Sequence, residues 1–277
     1  MNVLKQCIRN KKFLLSAVIL VPLLFVALFG NFLISHDPLE IHYTQTLDAP
    51  SAEYPMGTDE YGRCIACRLI VGLQPTMIVA FGGTVIAMVA GSLLGLLAGY
   101  IKDAWGNAIM RVVDIILCFP SILLAMLVVG FWGSGMLNLV IVVGILYTPH
   151  FCRIAYSSTR KLRRVEYVES QQLLGASTFR ILVKTLLPNI VSSLIIQFSL
   201  TVSSGILLES GLSFLGLGVE PPNPSWGQMI GDARGHIATN GQYMFWPSLF
   251  LCLTILSTNL MGDALRGVLD PKLKKSF

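Results

Sequence analysis

The feature that most constrains this chain is a set of long apolar blocks, each about long enough to cross a lipid bilayer as a helix. About 20 apolar residues, at a helical rise of about 1.5 Å per residue, match a hydrocarbon thickness of roughly 30 Å. Backbone polar groups in lipid must pair within the chain, which uninterrupted apolar blocks achieve as helices. The sequence therefore predicts an all-α, polytopic membrane protein with six transmembrane helices. The blocks are residues 13–34, 77–101, 109–132, 137–154, 186–208 and 245–265.

The composition supports lipid as the main solvent of the chain. Charged residues make up 13% of the sequence and apolar residues 54%, whereas soluble domains carry about 25% charged residues. A soluble protein of 277 residues would need more charge to coat its surface. The cysteines are scattered, with only Cys64 and Cys67 close together, so no disulfide framework is predicted.

The first apolar block follows several basic residues, as the core of a secretory signal peptide does. Signal peptides have a shorter core of about 7–15 residues and end at a pattern of small residues. The block at 13–34 is longer, and no such pattern follows it. We therefore expect an uncleaved first span.

The distribution of basic residues predicts the side of the membrane on which each loop lies. Six spans place both termini on one side, and nearly all Lys and Arg residues fall on that side. Basic residues concentrate in the cytoplasmic loops of membrane proteins, so both termini are predicted to be cytoplasmic. The exceptions are Arg63, Arg68 and Arg234.

Three segments between the predicted spans are long enough to have structure of their own. Residues 35–76 and 209–244 are expected outside, and residues 155–185 are expected in the cytoplasm. We divide the chain into an N-terminal span with its outer loop, 1–76, and a transmembrane domain, 77–277, that contains the cytoplasmic loop.

A row of glycines in the second predicted span indicates close helix packing. Gly91, Gly95 and Gly99 recur every four residues along one face. Small residues at this spacing let helix backbones approach each other closely in lipid. A lining for a permeation path is the alternative.

The cytoplasmic loop contains an amphipathic stretch, residues 165–188, that is too polar to cross the membrane. It begins with Glu166 and Glu169, breaks at Gly175 and ends at Pro188. Acidic residues favour a helix N-terminus because of the helix dipole, so two short helices joined at the glycine would fit this pattern. The alternative is a solvated basic loop held to anionic lipid.

The same stretch carries a family resemblance. The spacing of Glu169, Gly175 and Leu187-Pro188 resembles that of the E-A-A motif of ABC importer permeases. In that family, the loop that carries the motif docks into a groove of the ATPase subunit. Two positions depart from the motif, since Ser170-Gln171 replaces the usual Ala-Ala and Thr185 replaces the usual Ile. The residues that the resemblance assigns to ATPase coupling are Glu166, Glu169, Gly175, Ala176, Leu187 and Pro188.

Further strings are similar to the downstream, C-type subunit of the dipeptide, oligopeptide and nickel branch of these permeases. Cys64 stands where that family usually has a second Asp. The resemblance covers nearly the whole chain and implies the type I ABC importer permease fold. The strings are Pro55-Met56-Gly57-Thr58-Asp59 with Gly62-Arg63, Arg111 with Asp114 and Phe119-Pro120, residues 212–218 (LSFLGLG), Pro221-Pro222, residues 224–227 (PSWG) and residues 259–271.

The third predicted span contains candidates for a structural or gating role. Asp114 is an ionisable residue within an apolar block, and such residues are functional candidates. Arg111 lies one helical turn away and could pair with it, so a structural pair and a gating role are both open. Pro120 predicts a kink in the same helix because it lacks a backbone N–H.

Three residues of the outer segments are candidates for contact with a substrate-binding protein. They are Asp59 and Arg63 in the outer loop, and Trp226 in a Pro-rich stretch. Trp226 is followed by Gln228 and Asp232, an arrangement suited to the membrane interface. A short outer helix there would receive the binding protein, or it would serve as an anchor without a partner.

The C-x-x-C of Cys64 and Cys67 could form a disulfide or half of a metal site, or the two cysteines could be unpaired. We expect them to be unpaired. Histidines in the outer segments would suggest coordination if the cargo were a metal chelate. No H-x-x-H or H-x-x-x-H spacing occurs, so no metal site is predicted. The outer histidines are His36, His42 and His236.

No enzymatic role is predicted, because the chain has neither a G-x-x-x-x-G-K-[ST] loop for nucleotide phosphates nor a convincing pair of nucleophile and base. We expect a permease subunit of a binding-protein-dependent ABC importer for peptides, nickel or another metal chelate in a bacterial cell membrane. Its partners would be a second homologous permease, two ATPase subunits that bind the ATP, and an extracytoplasmic binding protein. No cofactor or nucleic acid is expected on this chain.

Two other functions are open to a membrane protein of this kind. An ion-coupled secondary transporter usually has more spans, internal repeats and acids in the middle of its spans, and the sequence predicts none of these. A membrane scaffold or sensor without transport activity is the second alternative. For the cargo, a metallophore is the alternative to a peptide.

Overall fold

The computed structural model of the chain describes residues 3–101 and 103–269. These residues form helices and turns and no strand, apart from one isolated bridge between Thr58 and Cys64. The predicted all-α class is therefore confirmed. The helices are α1 (Val3–Arg9), α2 (Lys11–Phe29), α3 (Ile65–Tyr100), α4 (Asp103–Leu117), α5 (Ser121–Trp132), α6 (Met136–Leu162), α7 (Glu166–Leu173), α8 (Thr178–Arg180), α9 (Leu187–Phe214), α10 (Trp226–Ala233) and α11 (Gly241–Leu269).

Five helical stretches of the described chain are long and apolar enough to cross a bilayer. A sixth crossing requires α4 and α5 together, and these two helices meet at an angle of 89°. The predicted third span, 109–132, is therefore two helices rather than one. The five stretches are Lys11–Phe32, Ile65–Tyr100, Met136–Leu162, Thr178–Phe214 and Gly241–Leu269.

Pro120 lies in the break between α4 and α5, so the predicted kink at this residue is a complete break, with an angle of 89° between the two helices. The residue immediately precedes α5, with φ −57° and ψ 125°, while α4 ends at Leu117. A proline disfavours helical backbone in the residue before it and clashes with the carbonyl one turn earlier. Pro120 therefore ends one helix and begins the next.

Glycines bring α3 and α6 into backbone contact along their length. A Cβ atom on Gly95 would lie 2.7 Å from Cβ of Ala155, and one on Gly99 would lie 2.7 Å from Cβ of Thr159. Gly91 also lies against the backbone of α6. The contacts advance in the same order on both helices, so α3 and α6 run parallel. The predicted close packing of this face is confirmed.

The two helices α4 and α5, which we call the bent pair, take the chain from one end of the bundle to the other. We call the end at which α3 and α6 terminate the coupling end, and the opposite end the outer end. Gly106 of α4 lies against the carbonyl of Ala98 near the coupling end. After α5, Ser134 donates a hydrogen bond of 3.2 Å to Glu220 at the outer end. Counted as one crossing, the pair brings the number of spans to six.

Two predicted span boundaries differ from the structure. α3 begins at Ile65 rather than at residue 77, so the expected division of the chain at 76 falls inside a continuous helix. α9 continues to Phe214, beyond the expected end at 208. Glu209 consequently lies within a span, fully buried, and accepts a hydrogen bond of 2.7 Å from Ser213. The sequence placed Glu209 in the outer segment, whereas hydroxyl groups on its own helix satisfy the buried carboxylate near the outer end of α9.

Candidate coupling site

The segment between α6 and α9 is attached to the coupling end of the bundle by side chains of its own. Arg163 Nη1 donates a hydrogen bond of 3.2 Å to the carbonyl of Ile101. Gln172 Nε2 donates one of 3.1 Å to the hydroxyl of Tyr100. Val168, between them in sequence, is fully buried in the main hydrophobic cluster. The expected loop at 155–185 is therefore shorter, because α6 extends to Leu162.

α7 begins with the two acidic residues that the sequence singled out. Glu166 and Glu169 lie in its first turn and are exposed. Their carboxylates stand near the unpaired N–H groups of the helix N-terminus, where negative charge is favourable. Glu169 also shares a basic recess with Arg163 and Arg164.

Gly175 ends α7 in a left-handed turn. Its N–H donates to the carbonyl of Gln172 and the N–H of Ala176 donates to that of Gln171, both at 3.0 Å. This pair of hydrogen bonds is the Schellman motif, in which the glycine takes a positive φ, here +78°. No atom lies within 4 Å of the position that a Cβ on Gly175 would occupy. The turn therefore requires glycine for its backbone angle and not for space.

From Thr178 onward, the chain continues as helix into α9. Ser177 caps α8 by accepting a hydrogen bond of 3.4 Å from the N–H of Arg180, and a wide π-helical stretch, Ile181–Leu186, leads into α9. Pro188 follows this stretch and cannot donate a backbone hydrogen bond. A wider helical turn makes room for its ring, since π-bulges loosen the backbone ladder locally.

The π-helical stretch that leads into α9 and the residues that flank it pack against the helix bundle. Ile181, Leu182 and Leu186 are buried in the main hydrophobic cluster, and Leu187 and Ala176 pack against it. The side chain of Asn189 donates a hydrogen bond to the carbonyl of Thr185 at 2.6 Å. The stretch that follows the turn at Gly175 is therefore packed against the helix bundle.

The tip of the segment exposes large apolar side chains to solvent. Leu173 is 89% exposed, Leu174 is 87% exposed and Phe179 is 76% exposed. Large apolar side chains that are exposed close together in the sequence, in an otherwise polar loop, are typical of an interaction site. Sequence reasoning assigned no role to these residues, although apolar residues within an otherwise polar loop were the available signal.

Asp114 pairs with a residue other than the predicted one. Its Oδ1 lies 2.6 Å from Nη2 of Arg153 on α6, and both side chains are 53% exposed. Arg111 is exposed and makes no ion pair within the described residues. The expected pairing of Arg111 with Asp114 was wrong because α4 turns Asp114 toward α6.

The outer-loop candidates Asp59 and Arg63 are buried rather than available to a partner. Arg63 Nε lies 2.6 Å from Oδ2 of Asp59, and Arg68 Nε lies 3.3 Å from the same atom. Asp59 and Arg68 are fully buried. Direct contact of these side chains with a binding protein was therefore wrongly predicted, because they neutralise each other inside the outer end.

Trp226 is also buried and cannot be a contact for another protein. Its Nε1–H donates a hydrogen bond of 2.8 Å to the carbonyl of Leu69, which fixes α10 against the start of α3. Nearby on α10, burial raises the pKa of Asp232 and the charge of Glu60 acts in the same direction. The outer ends of α3 and α10 thus form one packed polar layer.

Comparison with known proteins gives a family and close relatives. The profile of the family described as "Binding-protein-dependent transport system inner membrane component" matches residues 91–275. The di/tripeptide transport system permease protein DppC of Pseudomonas aeruginosa is 39% identical and aligns over 96% of this chain and 90% of its own length. The glutathione transport system permease protein GsiD of Pectobacterium atrosepticum is 36% identical over 91% of this chain and 84% of its own.

Solved structures share the fold at lower sequence identity. Two crystal forms of the inward-facing MetNI methionine ABC transporter superpose with TM-scores of 0.60 and 0.61, at 19% and 20% identity. They cover 73% and 74% of this chain, and 96% and 97% of the matched chains. The predicted ABC importer permease fold is thereby confirmed.

Proposed function

Because this chain belongs to the family of binding-protein-dependent transport system inner membrane components, we propose that it forms half of a path that imports short peptides across a bacterial cell membrane. As an ABC transporter permease, the chain is not an enzyme. This membership also favours the importer over the secondary transporter and over the scaffold or sensor that the sequence left open.

The observation that carries the proposal is the exposed apolar tip beside the glycine turn at the coupling end. A partner ATPase would cover Leu173, Leu174 and Phe179, with Glu166 and Glu169 forming charged contacts at the rim of the interface. Burial of apolar surface would supply the affinity and the acids would fix the orientation. Two ATPase subunits, one on each permease, would bind and hydrolyse the ATP, and this chain would bind no cofactor for that role.

Movement would pass from the ATPase through one continuous mechanical element. The turn at Gly175 connects α7 to the helical run Thr178–Phe214, which packs against α3 and α11. Closure of the ATPase subunits would favour the outward-open arrangement of the helices, and their separation the inward-open one, so ATP shifts the population between two states. The peptide would enter from its binding protein in the first state and leave in the second.

The chain would need a second, homologous permease to complete the path. Several helices expose apolar faces that lipid and a partner permease would share, notably α2 and α5. The binding protein would meet the exposed surface of the outer loop, which carries several acids, and the buried Asp59, Arg63 and Trp226 would support that surface from below. The exposed acids are Asp37, Glu40, Asp48 and Glu53.

A peptide is the favoured cargo because the relatives named above carry di- and tripeptides and glutathione, itself a tripeptide. Nickel, a metal chelate and a metallophore have no comparable support. Both termini would lie in the cytoplasm, since the basic residues of the coupling end include Arg160, Arg163 and Arg164. A single cysteine at Lys274, outside the described residues, would then resist an impermeant thiol reagent in intact cells that lack the native cysteines.

The docking proposal can be tested on the assembled transporter. We expect Leu174→Asp to reduce the amount of ATPase that co-purifies with this chain and to abolish dipeptide-stimulated ATP hydrolysis in proteoliposomes with the binding protein. Ile237→Asp is the matched control, because Ile237 is also exposed but lies at the outer end. Normal docking and hydrolysis in Leu174→Asp would reject the coupling site. Dipeptide uptake by liposomes that hold this chain alone, without ATP, would reject the importer.

A further inference from the structure

Three side chains with metal-binding atoms meet at the outer end, apart from the coupling site. His36, Cys64 and Cys67 each offer one ligand atom, and these atoms lie within 4.8 Å of one another. His36 follows the first span, Cys64 immediately precedes α3, and Cys67 lies in the first turn of α3. The transport mechanism uses none of the three, so the cluster requires its own explanation.

We propose that His36, Cys64 and Cys67 form a binding site for a Zn²⁺ ion at the outer end of the chain. Imidazole and thiolate ligands are the ones that zinc prefers in proteins. With zinc–sulfur bonds of about 2.3 Å and zinc–nitrogen bonds of about 2.0 Å, tetrahedral ligand atoms lie roughly 3.3–3.8 Å apart. The present separations, all within 4.8 Å, would have to shorten by about 1 Å or less to give that spacing, which side-chain rotation can supply.

The two cysteines of the cluster lie in a separate, buried part of the fold, and His36 beside them is half-buried. Cys64 and Cys67 are each 2% exposed and form a small cluster with Tyr54, distinct from the larger hydrophobic clusters of the bundle. Both cysteines are free thiols. A packing role alone would be met by aliphatic side chains, whereas two buried sulfur atoms beside an imidazole make a set of ligands.

Neighbouring groups already hold the ligands in place. Ser35 Oγ lies 3.1 Å from Nδ1 of His36, and the His36 ring lies against that of Tyr54 with a centroid distance of 5.0 Å. The backbone N–H of Cys67 donates to Sγ of Cys64 at 3.3 Å. Supporting contacts of this kind orient the ligands of zinc sites and contribute to affinity.

Binding requires no oxidant or reductant. The two thiols lose their protons to solvent as they become thiolate ligands, and the imidazole binds as the neutral ring. Three protein ligands leave a fourth position, which water would occupy. The ion would tie the segment after the first span to the start of α3, and it would stabilise the folded state because the unfolded chain has no assembled site.

The test measures zinc in the full-length chain, purified in detergent by an affinity tag without histidines. After incubation with Zn²⁺ and removal of free metal, we expect one zinc per wild-type chain by elemental analysis and a higher melting temperature. The Co²⁺-loaded chain should show the absorption of cobalt–thiolate charge transfer. Cys64→Ser/Cys67→Ser and His36→Ala should lose the zinc, and Cys252→Ser, which removes an exposed cysteine in α11, should keep it.

Two results would overturn the site. One is wild-type zinc content no higher than that of Cys64→Ser/Cys67→Ser under the same conditions. The other is a disulfide between Cys64 and Cys67 in the chain isolated from cells, found by peptide mapping, with no metal bound after gentle reduction. The second measurement is made on the wild-type chain alone, so it does not depend on whether a variant folds.

Discussion

Thr185 donates a hydrogen bond of 2.9 Å from its hydroxyl to Oε1 of Gln171, across the turn that joins α7 to α9. Both side chains are half-buried. These are two of the positions at which the sequence departs from the E-A-A motif, which has Ala and Ile there. The departures therefore compensate each other, because a polar residue on α7 meets a polar residue on the segment that leads into α9.

The first prediction is that replacing one member of this pair costs more stability than replacing both. Gln171→Ala removes the acceptor of Thr185, and Thr185→Ile leaves Oε1 of Gln171 without its donor. A hydrogen bond of this kind contributes about 1 kcal/mol net. We expect each single variant to lower the melting temperature of the purified transporter and the double variant to recover most of the loss. Losses that simply add in the double variant would show that the two side chains do not interact.

The second prediction concerns the turn at Gly175. An added Cβ has no atom within 4 Å there, so the main cost is the backbone angle, about 1–2 kcal/mol for a residue with a Cβ. Gly175→Val should loosen ATPase docking or uncouple ATP hydrolysis from peptide uptake. Gly175→Asn should retain most of the coupling because Asn tolerates this angle better. Hydrolysis and uptake are measured in the same vesicles.

Gly130→Ala is the matched control for this turn. A Cβ on Gly130 of α5 also meets no atom within 4 Å, but Gly130 does not have a positive φ. The stability of the Gly130→Ala variant should equal or slightly exceed that of the wild type, because Ala favours the helix more than Gly does. Wild-type hydrolysis and uptake in a normally expressed Gly175→Val variant would mean that the segment is only a connector.

The third prediction separates stability from gating at Asp114. The ion pair with Arg153 is half exposed, so its loss should change the free energy of unfolding by no more than about 1 kcal/mol. If the pair holds α4 in position during transport, Asp114→Asn should lower the uptake rate well beyond that small change. Asp114→Arg combined with Arg153→Asp should recover part of the rate. Arg111→Gln, on the same helix, is the control and should transport normally.

If the loss of folded protein accounts for the whole loss of uptake in Asp114→Asn, Asp114 has a purely structural role. Transport is compared with melting temperature in the same preparation of each variant. An effect of Arg111→Gln equal to that of Asp114→Asn would instead favour the pairing inferred from the sequence.

Features encoded by local pattern could be predicted from the sequence. The length of the apolar blocks gave the spans, the spacing of Gly91, Gly95 and Gly99 gave the packed face, and Gly175 gave the turn, because each depends on residues close together in the chain. The partner of Asp114 could not be found in this way. Arg153 lies on another helix, and the choice between it and Arg111 depends on how α4 is turned.

The outer end was the least predictable region for a physical reason. Charged residues in a loop between spans are usually solvated, so Asp59 and Arg63 were expected to face a partner. The outer loop instead folds back on the start of α3, where Arg68 Nη1 also donates to the carbonyl of Pro38 at 3.2 Å. Contacts between residues about 30 positions apart, such as Arg68 with Pro38, leave no pattern in the sequence, and the cluster of His36 with Cys64 and Cys67 was missed for the same reason.

The fourth prediction is that Asp59 is a structural residue. Its Oδ1 accepts hydrogen bonds of 2.9 Å from the backbone N–H groups of Tyr61 and Arg63, while its Oδ2 pairs with Arg63 and Arg68. Asp59→Asn keeps the shape and the acceptor for the backbone but removes the charge. Breaking a buried ion pair from one side typically costs about 3–5 kcal/mol, because the remaining charge is left buried and unpaired.

We therefore expect Asp59→Asn to reduce the yield of monodisperse protein in size-exclusion chromatography and to lower its melting temperature strongly. Glu53→Gln is the matched control, since it removes one negative charge from an exposed position of the same loop, and its stability should be that of the wild type. Affinity for the binding protein is measured on the folded fraction of both variants. If Asp59→Asn keeps wild-type stability and loses only that affinity, Asp59 contacts the binding protein, and its buried ion pairs do not stabilise the fold.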